Sequence, residues 1–214
     1  MDTPGTDGAP ARRRGRPPSG GREAIIAATV SLLRERGASR LTTREVAARA
    51  GTAEGTVFYH FGDRSGLLTA VINDGLRAFA DAYFASPGSR EGDVGPMLDS
   101  FTAALDGFLD VAFIAMTAAQ SDAELREGMA QHFLTNNIGP HRGVESLGSF
   151  LRQAQNAGLV RRDVDASSLA MLVIGSCFLR VSQAQMIGAA YAAKFPARGE
   201  LVRTVTTLLR PLPD

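Results

Sequence analysis

The sequence predicts an all-α fold, with a small helix-turn-helix module in front and a larger helical body behind it. Three observations carry this. Apolar residues recur at helical spacing along most of the chain, with no alternating stretch long enough for a strand and no internal repeat. Residue types suited to capping stand at the starts of the apolar stripes. Two short helical segments parted by a glycine turn follow a longer amphipathic one, which is the spacing of a three-helix helix-turn-helix unit.

Taken in order, residues 1–20 hold Pro, Gly and Arg with almost no apolar side chain, a composition expected to be disordered when free. A first helix is expected from Arg22, with Ile26, Val30 and Leu33 on one stripe and Gly37 at its end. In Leu41-Thr42-Thr43-Arg44-Glu45-Val46, Thr42 and Glu45 form a capping box, and Leu41 and Val46 a hydrophobic staple. Gly51 stops that helix, Thr52 is expected to cap a third, and Asp63 a fourth that begins near Arg64. Next, Met97, Phe101, Leu105, Phe108 and Ala112 make one stripe. Ser121 and Glu124 form a second capping box before Leu125, Met129 and Phe133. Pro140 and Pro196 suit first-turn positions, and Asp165 a cap for the helix carrying Leu169 to Leu179. Leu201, Val205 and Leu208 mark the last of about nine helices. The organisation expected is a basic arm (1–20), a helix-turn-helix domain (21–81) and a larger helical domain (82–214).

Charge separates the two halves. Net charge is only +1, yet residues 11–64 hold eleven Arg against five Asp or Glu, whereas residues 65–214 are mildly acidic. A basic front on an acidic body implies a polyanionic partner for the front alone. The longest apolar run, Leu169 to Leu179, is about half a membrane span, so no membrane partner is expected. The basic N-terminus lacks the apolar stretch of a secretory signal. Cys177 is alone, which excludes an internal disulfide and fits a reducing cytoplasm.

The stretch Gly51-Thr-Ala-Glu-Gly-Thr-Val-Phe-Tyr-His-Phe61 carries the most chemistry. On a helical wheel Val57, Phe58 and Phe61 fall on the buried side. The opposite arc holds Ala53, Gly55, Thr56, Tyr59 and His60. A merely solvated face would more often carry Lys, Glu and Gln; this one is shaped for close approach to a surface that accepts hydrogen bonds. Thr52, Thr56, Tyr59 and His60 could donate to DNA phosphates, and Gly55 gives the groove clearance. Glu54 could accept from cytosine N4, and Arg44 could fork onto guanine.

The segment "LTTREVAARAGTAEGTVFYHFGDRSGLL" resembles the DNA-binding signature of the tetracycline-repressor (TetR) family. The resemblance implies that Thr42 or Thr43, Arg44, Thr52, Ala53, Glu54, Gly55, Thr56, Tyr59 and His60 line DNA. Arg64 stands where members usually have Lys and is expected to keep that charge at the DNA. Further on, "AGLVRRDVDASSLA" is similar to the linker by which many members enter their penultimate helix. The arm "RRRGRPP" contains the Arg-Gly-Arg-Pro core of minor-groove arms, so Arg12, Arg13, Arg14 and Arg16 are expected as a second DNA contact.

No nucleophile elbow, P-loop or metal-ligand spacing is present, so neither a catalytic nor a metal site, nor a cofactor, is expected. The family design implies a small-molecule cavity within residues 83–160 and a homodimer formed by the last two helices. Phe84, Met97, Phe101, Phe108, Met116, Met129, Phe133 and Phe150 are candidates for an apolar lining, with Gln120, His132, Asn136 and Gln153 as its polar contacts. Leu169, Val173, Cys177, Arg180, Leu201, Val205 and Leu208 are candidates for the dimer interface. The expected function is a regulator, by preference a repressor, released from a palindromic operator by an apolar inducer. The alternatives are an architectural minor-groove protein using the arginine arm and, more weakly, a small helical enzyme.

Overall fold

The computed structural model describes residues 20–36, 41–85, 93–120 and 122–211. Among these the structure is helical throughout: α1 (Gly20–Arg36), α2 (Thr43–Ala50), α3 (Glu54–Phe61), α4 (Arg64–Ala85), α5 (Val94–Gln120), α6 (Ala123–Thr135), α7 (Pro140–Asn156), α8 (Ala166–Met186), the single turn α9 (Ala189–Ala192) and α10 (Arg198–Leu208). The arm arginines Arg12, Arg13, Arg14 and Arg16, the stop at Gly37 and the cap at Ser121 lie outside the described residues.

Capping chemistry sets most helix starts. Thr42 accepts from the Glu45 N–H at 3.2 Å, and the staple residues Leu41 and Val46 are both buried. Asp63 accepts from Gly66 N–H at 2.7 Å and Asp165 from Ser168 N–H at 2.7 Å. That Ser168 N–H holds the Asp165 carboxyl below its ordinary pKa range. Three starts differ from expectation. α3 is preceded by Ala53, which supplies no side-chain cap, because Thr52 still belongs to the turn and spends its N–H on Ala47 O. α6 is capped by Asp122, whose carboxylate accepts from both Glu124 and Leu125 N–H at 3.1 Å. Pro196 lies outside α10, whose first turn is closed by the Glu200 carboxylate on Ala197 N–H at 2.8 Å.

Two glycines have specific duties in the front module. Gly51 adopts φ +66°, the left-handed turn between α2 and α3 that a Cβ would strain. Gly66 lets the Phe61 carbonyl lie where a Cβ would have to be, and so seats the first turn of α4 against the end of α3.

Two apolar clusters form the interior. One joins Ile25, Leu32, Val46, Val57, Leu67 and Val71 of α1–α4 to Ala115, Ala118, Leu125 and Met129 of α5 and α6. The other packs Met97, Phe101 and Leu105 of α5 with Leu147 and Leu151 of α7, Val173 and Cys177 of α8, and Val205 of α10. The front module therefore shares its core with α5 and α6, and α4 passes without a break through the boundary expected at residue 81. By length and composition α5 and α8 could each cross a membrane, although the run Leu169–Leu179 alone is too short. Within the fold α5 packs along α4, α8 and α10, and α8 along α5 and α7.

Candidate functional site

The turn at Gly51 delivers α3 to the surface of the front module. Val57 and Phe61 anchor it in the core, each worth about 1.5–3 kcal/mol of apolar burial. The rest of its surface is open. Tyr59 is 84% exposed, His60, Gly55 and Glu54 are exposed, and a Cβ on Gly55 would meet no atom within 4 Å. Tyr59 and His60 rings meet edge to face with centroids 5.1 Å apart, which orients both without burying either.

Phe58 is a correction. It sits at the edge of the wheel and is 49% exposed, so it adds an apolar element to the presented surface instead of joining the core. Glu54 is also outside the core. Its carboxylate accepts from Thr43 Oγ1 at 2.6 Å, locking the N-termini of α2 and α3 together. Arg44 and Thr42 are exposed beside that lock, and Thr52 and Thr56 are half-buried. Arg64 departs from the expected DNA-facing role: its guanidinium is partly buried and reaches Asp122 at the start of α6, at 3.4 Å.

A bidentate pair braces the module. Both Arg49 terminal nitrogens donate to the two Glu35 oxygens at 2.7 Å, tying α2 to α1. The hydrogen bonds from Arg49 and Ser31 lower the Glu35 pKa from 4.5 to about 2. A depressed carboxylate contributes its stability above the unfolded value and loses it as pH falls through the folded one. The brace should thus weaken between pH 4.5 and about 2, and Arg49→Ala should return Glu35 toward 4.5 in an NMR titration of the carboxyl carbons.

The apolar and polar residues expected to line one ligand cavity do not converge. Met97, Phe101 and Met129 are fully packed core, and Phe133 and Phe150 are partly buried against it. Phe84, Met116, Gln120, Asn136 and Gln153 are exposed. His132 lies instead in a polar cleft between α4 and α6. Phe108 alone of the twelve borders an apolar recess, a groove of about 390 Å³ between α1, α4 and α5. Its walls include Ile26, Val30, Phe79, Ala104 and Val111, with Asp74 at the rim. Beside Phe79 and Phe108 much of its wall is Ala and Gly (Gly75, Ala78, Ala82, Ala103, Ala104 and Gly107), residues that a search for aromatic and Met enrichment passes over.

The dimer candidates also divide. Val173, Cys177 and Val205 are buried in the protomer's own core, so they have no surface to offer a partner. Burial pushes the Cys177 thiol up to about 12, which makes it unreactive. Arg180 turns inward to Asp106 of α5 at 3.1 Å. Leu169 and Leu201 are partly buried against the same cluster, whereas Leu208 is exposed. The apolar surface actually presented by α8 is Met171, Leu172, Phe178, Leu179 and Met186.

Comparison with known proteins matches both halves of the chain to one family. Residues 25–71 match the bacterial regulatory proteins of the tetR family, and residues 139–206 match the tetracyclin repressor-like C-terminal domain. The chain belongs to the tetR family. Relatives include the HTH-type transcriptional regulator BetI of Stenotrophomonas maltophilia, 34% identical over 100 residues, 45% of this chain and 48% of that protein. The HTH-type transcriptional repressor KstR2 of Rhodococcus jostii is 27% identical over 118 residues, 55% of this chain and 54% of that protein. The chain thus matches about half the length of each of these relatives. Two solved structures share the fold over nearly their whole length. A TetR transcription regulator from Haloarcula marismortui has a TM-score of 0.69 at 21% identity, covering 90% of this chain and 99% of that one. The fatty acid degradation regulator FadR from Bacillus halodurans has a TM-score of 0.63 at 17% identity, covering 92% and 97%. In this tetR-family chain the matched front region spans α1 through the first third of α4, and so includes the whole exposed surface of α3.

Proposed function

We propose that this protein is a homodimeric, cytoplasmic transcriptional repressor that reads a palindromic operator with α3 and leaves it when a small apolar ligand binds. The observation that carries the reading is the outer face of α3. It combines an open backbone at Gly55 with donors at Tyr59 and His60, anchored from behind by Val57 and Phe61. A surface of this kind suits the major groove, where phosphate contacts set register and base edges give specificity. Arg44, exposed at the start of α2, supplies the cationic fork, and the arginine arm adds a minor-groove contact.

Two-fold symmetry follows from the operator argument, since one module covers one half-site. The exposed apolar side chains of α8 and Leu208 of α10 are the surface a second copy would cover. The groove between α1, α4 and α5 is the recess best suited to an apolar ligand, because a molecule there touches Ile26 and Val30 of the front module and Phe108 of the body together. A ligand that prefers one setting of these helices shifts DNA affinity by that preference alone. Ala104→Phe should fill the groove and abolish release by any apolar inducer while operator affinity stays unchanged, as read by fluorescence anisotropy.

The reading is tested by Tyr59→Ala. The side chain is exposed, so the melting temperature should hold, while DNA affinity falls by about 1–3 kcal/mol in anisotropy titrations. Unaltered DNA affinity would remove Tyr59 from the interface.

A further inference from the structure

A second recess, unlike the apolar groove, opens between the front module and α6. It is a polar cleft of about 420 Å³. Its walls are Arg22 of α1, the end of α3 at His60, the first half of α4 at Ser65, Thr69 and Asn73, and His132 of α6. Two of these groups lack the partners that such groups normally have. Thr69 is only 6% exposed, its hydroxyl opens to the cleft, and among the described residues it makes no hydrogen bond, not even to the carbonyl one turn back that helical threonines such as Thr29 and Thr102 use. Arg22 is half-buried with its guanidinium 5.6 Å from the centroid of the Phe61 ring, and no carboxylate pairs with it among the described residues.

The remaining lining is rich in donors. Asn73 and His132 meet through Nδ2 and Nε2 at 3.4 Å, and Ser65 presents a second hydroxyl. The one carboxylate in the cleft, Asp63, already accepts the Gly66 N–H as the cap of α4. A hydroxyl that opens into the cleft without a protein acceptor, and a half-buried cation without a carboxylate partner among the described residues, suit the same thing, a ligand that accepts hydrogen bonds and carries negative charge.

We propose that this cleft binds a small free oxyanion, a carboxylate or phosphate metabolite, as an effector site separate from the apolar groove. The oxyanion takes N–H bonds from Arg22 and an O–H bond from Thr69, and so bridges α1 and α4 against α6. Its effect on DNA rests on the regulator reading above: because the cleft includes the end of α3, occupancy fixes the setting of α3 relative to α6 and changes operator affinity.

Calorimetric titration of the full chain with citrate, succinate and inorganic phosphate, at constant ionic strength and without DNA, tests the site itself. At least one probe should bind saturably. Arg22→Gln should weaken it by about tenfold or more, in line with the loss of a charge-assisted hydrogen bond. Thr69→Val should weaken it while Thr69→Ser restores it, with unchanged circular dichroism for all three variants. Absence of saturable binding for every probe overturns the proposal, as does binding that Arg22→Gln and Thr69→Val leave intact. If no free probe binds and Arg22→Gln instead weakens DNA, the cleft holds a backbone phosphate of the operator and the proposal is equally lost. Anisotropy with labelled DNA, with and without the bound probe, then reads the coupling. A protein that binds the probe but no DNA refutes the regulator reading and leaves the oxyanion site standing.

Discussion

Gly55→Leu should fold at least as well as the wild-type protein and lose its DNA. In the free protein a Cβ at residue 55 would meet nothing within 4 Å, and replacing glycine inside a helix with a better helix former contributes up to about 1 kcal/mol. On the proposed docking of α3 in the major groove, the same side chain would stand between the helix and the base edges. Forcing such bulk into a close-packed interface costs about 1–3 kcal/mol, and neighbouring hydrogen bonds to the DNA that can then no longer form add to that. The expected result is a melting temperature equal to or above wild type, with operator affinity down by about a hundredfold or more. Circular dichroism melts and anisotropy titrations on the same preparations check it. Gly55→Ala should lie between the two proteins on both scales. A Gly55→Leu protein that binds normally would move the recognition surface off α3.

The second large effect separates two adjacent residues of α8. Val173 is 2% exposed in the core shared with α5 and α7, whereas its neighbour Leu172, about 100° round the helix, is 68% exposed. Val173→Glu would bury a carboxylate in an apolar cluster, a change that costs several kcal/mol and should leave the chain unfolded or molten. Leu172→Glu puts its charge on the surface that a second copy would cover. It should give a folded monomer with native helix content by circular dichroism and half the wild-type mass by sedimentation. Such a monomer engages a single half-site and should lose most operator affinity. Should Leu172→Glu sediment as a dimer, the partner surface lies elsewhere.

The same pair shows why part of this structure was legible in the sequence and part was not. Caps with a distinctive residue at a fixed spacing, such as Thr42 with Glu45, Asp63 and Asp165, were readable because one side chain satisfies one backbone donor. Ser121 and Asp122 are adjacent and both fit to cap, so spacing alone did not choose between them. The start of α3 was misplaced because Thr52 N–H goes to Ala47 O, a bond of the turn and not of the helix. For the front module the wheel separated Val57 and Phe61 from Tyr59 and His60 correctly and failed at Phe58, which sits on the margin. In α8 the apolar run continues around the helix, and periodicity carries no sign that distinguishes a face toward its own core from a face toward a partner. Val173 and Leu172 are equivalent by composition, yet one is buried and the other exposed. The ligand candidates failed for a related reason. Phe and Met enrichment marks volume to be filled, and Met97, Phe101 and Met129 fill it, while the open groove owes its space to the Ala and Gly positions between Phe79 and Phe108, which attract no notice in a sequence. That neither Arg22 nor Thr69 meets a polar partner among the described residues depends on what surrounds them in space, so only the structure displays it.

In the proposed regulator two copies of α3, related by a two-fold axis, read DNA sequence. Selection of a random-sequence duplex pool with the wild-type protein, followed by sequencing of the bound fraction, tests it most directly, with Gly55→Leu carried in parallel. The expected result is enrichment of an inverted repeat whose half-site centres lie about one helical turn apart or a multiple of it, roughly 10–10.5 base pairs per turn. Two protomers for each duplex and no enrichment by Gly55→Leu are also expected. Enrichment of A·T-rich DNA without symmetry, retained by Gly55→Leu, would rule out reading by α3 and place binding in the arginine arm.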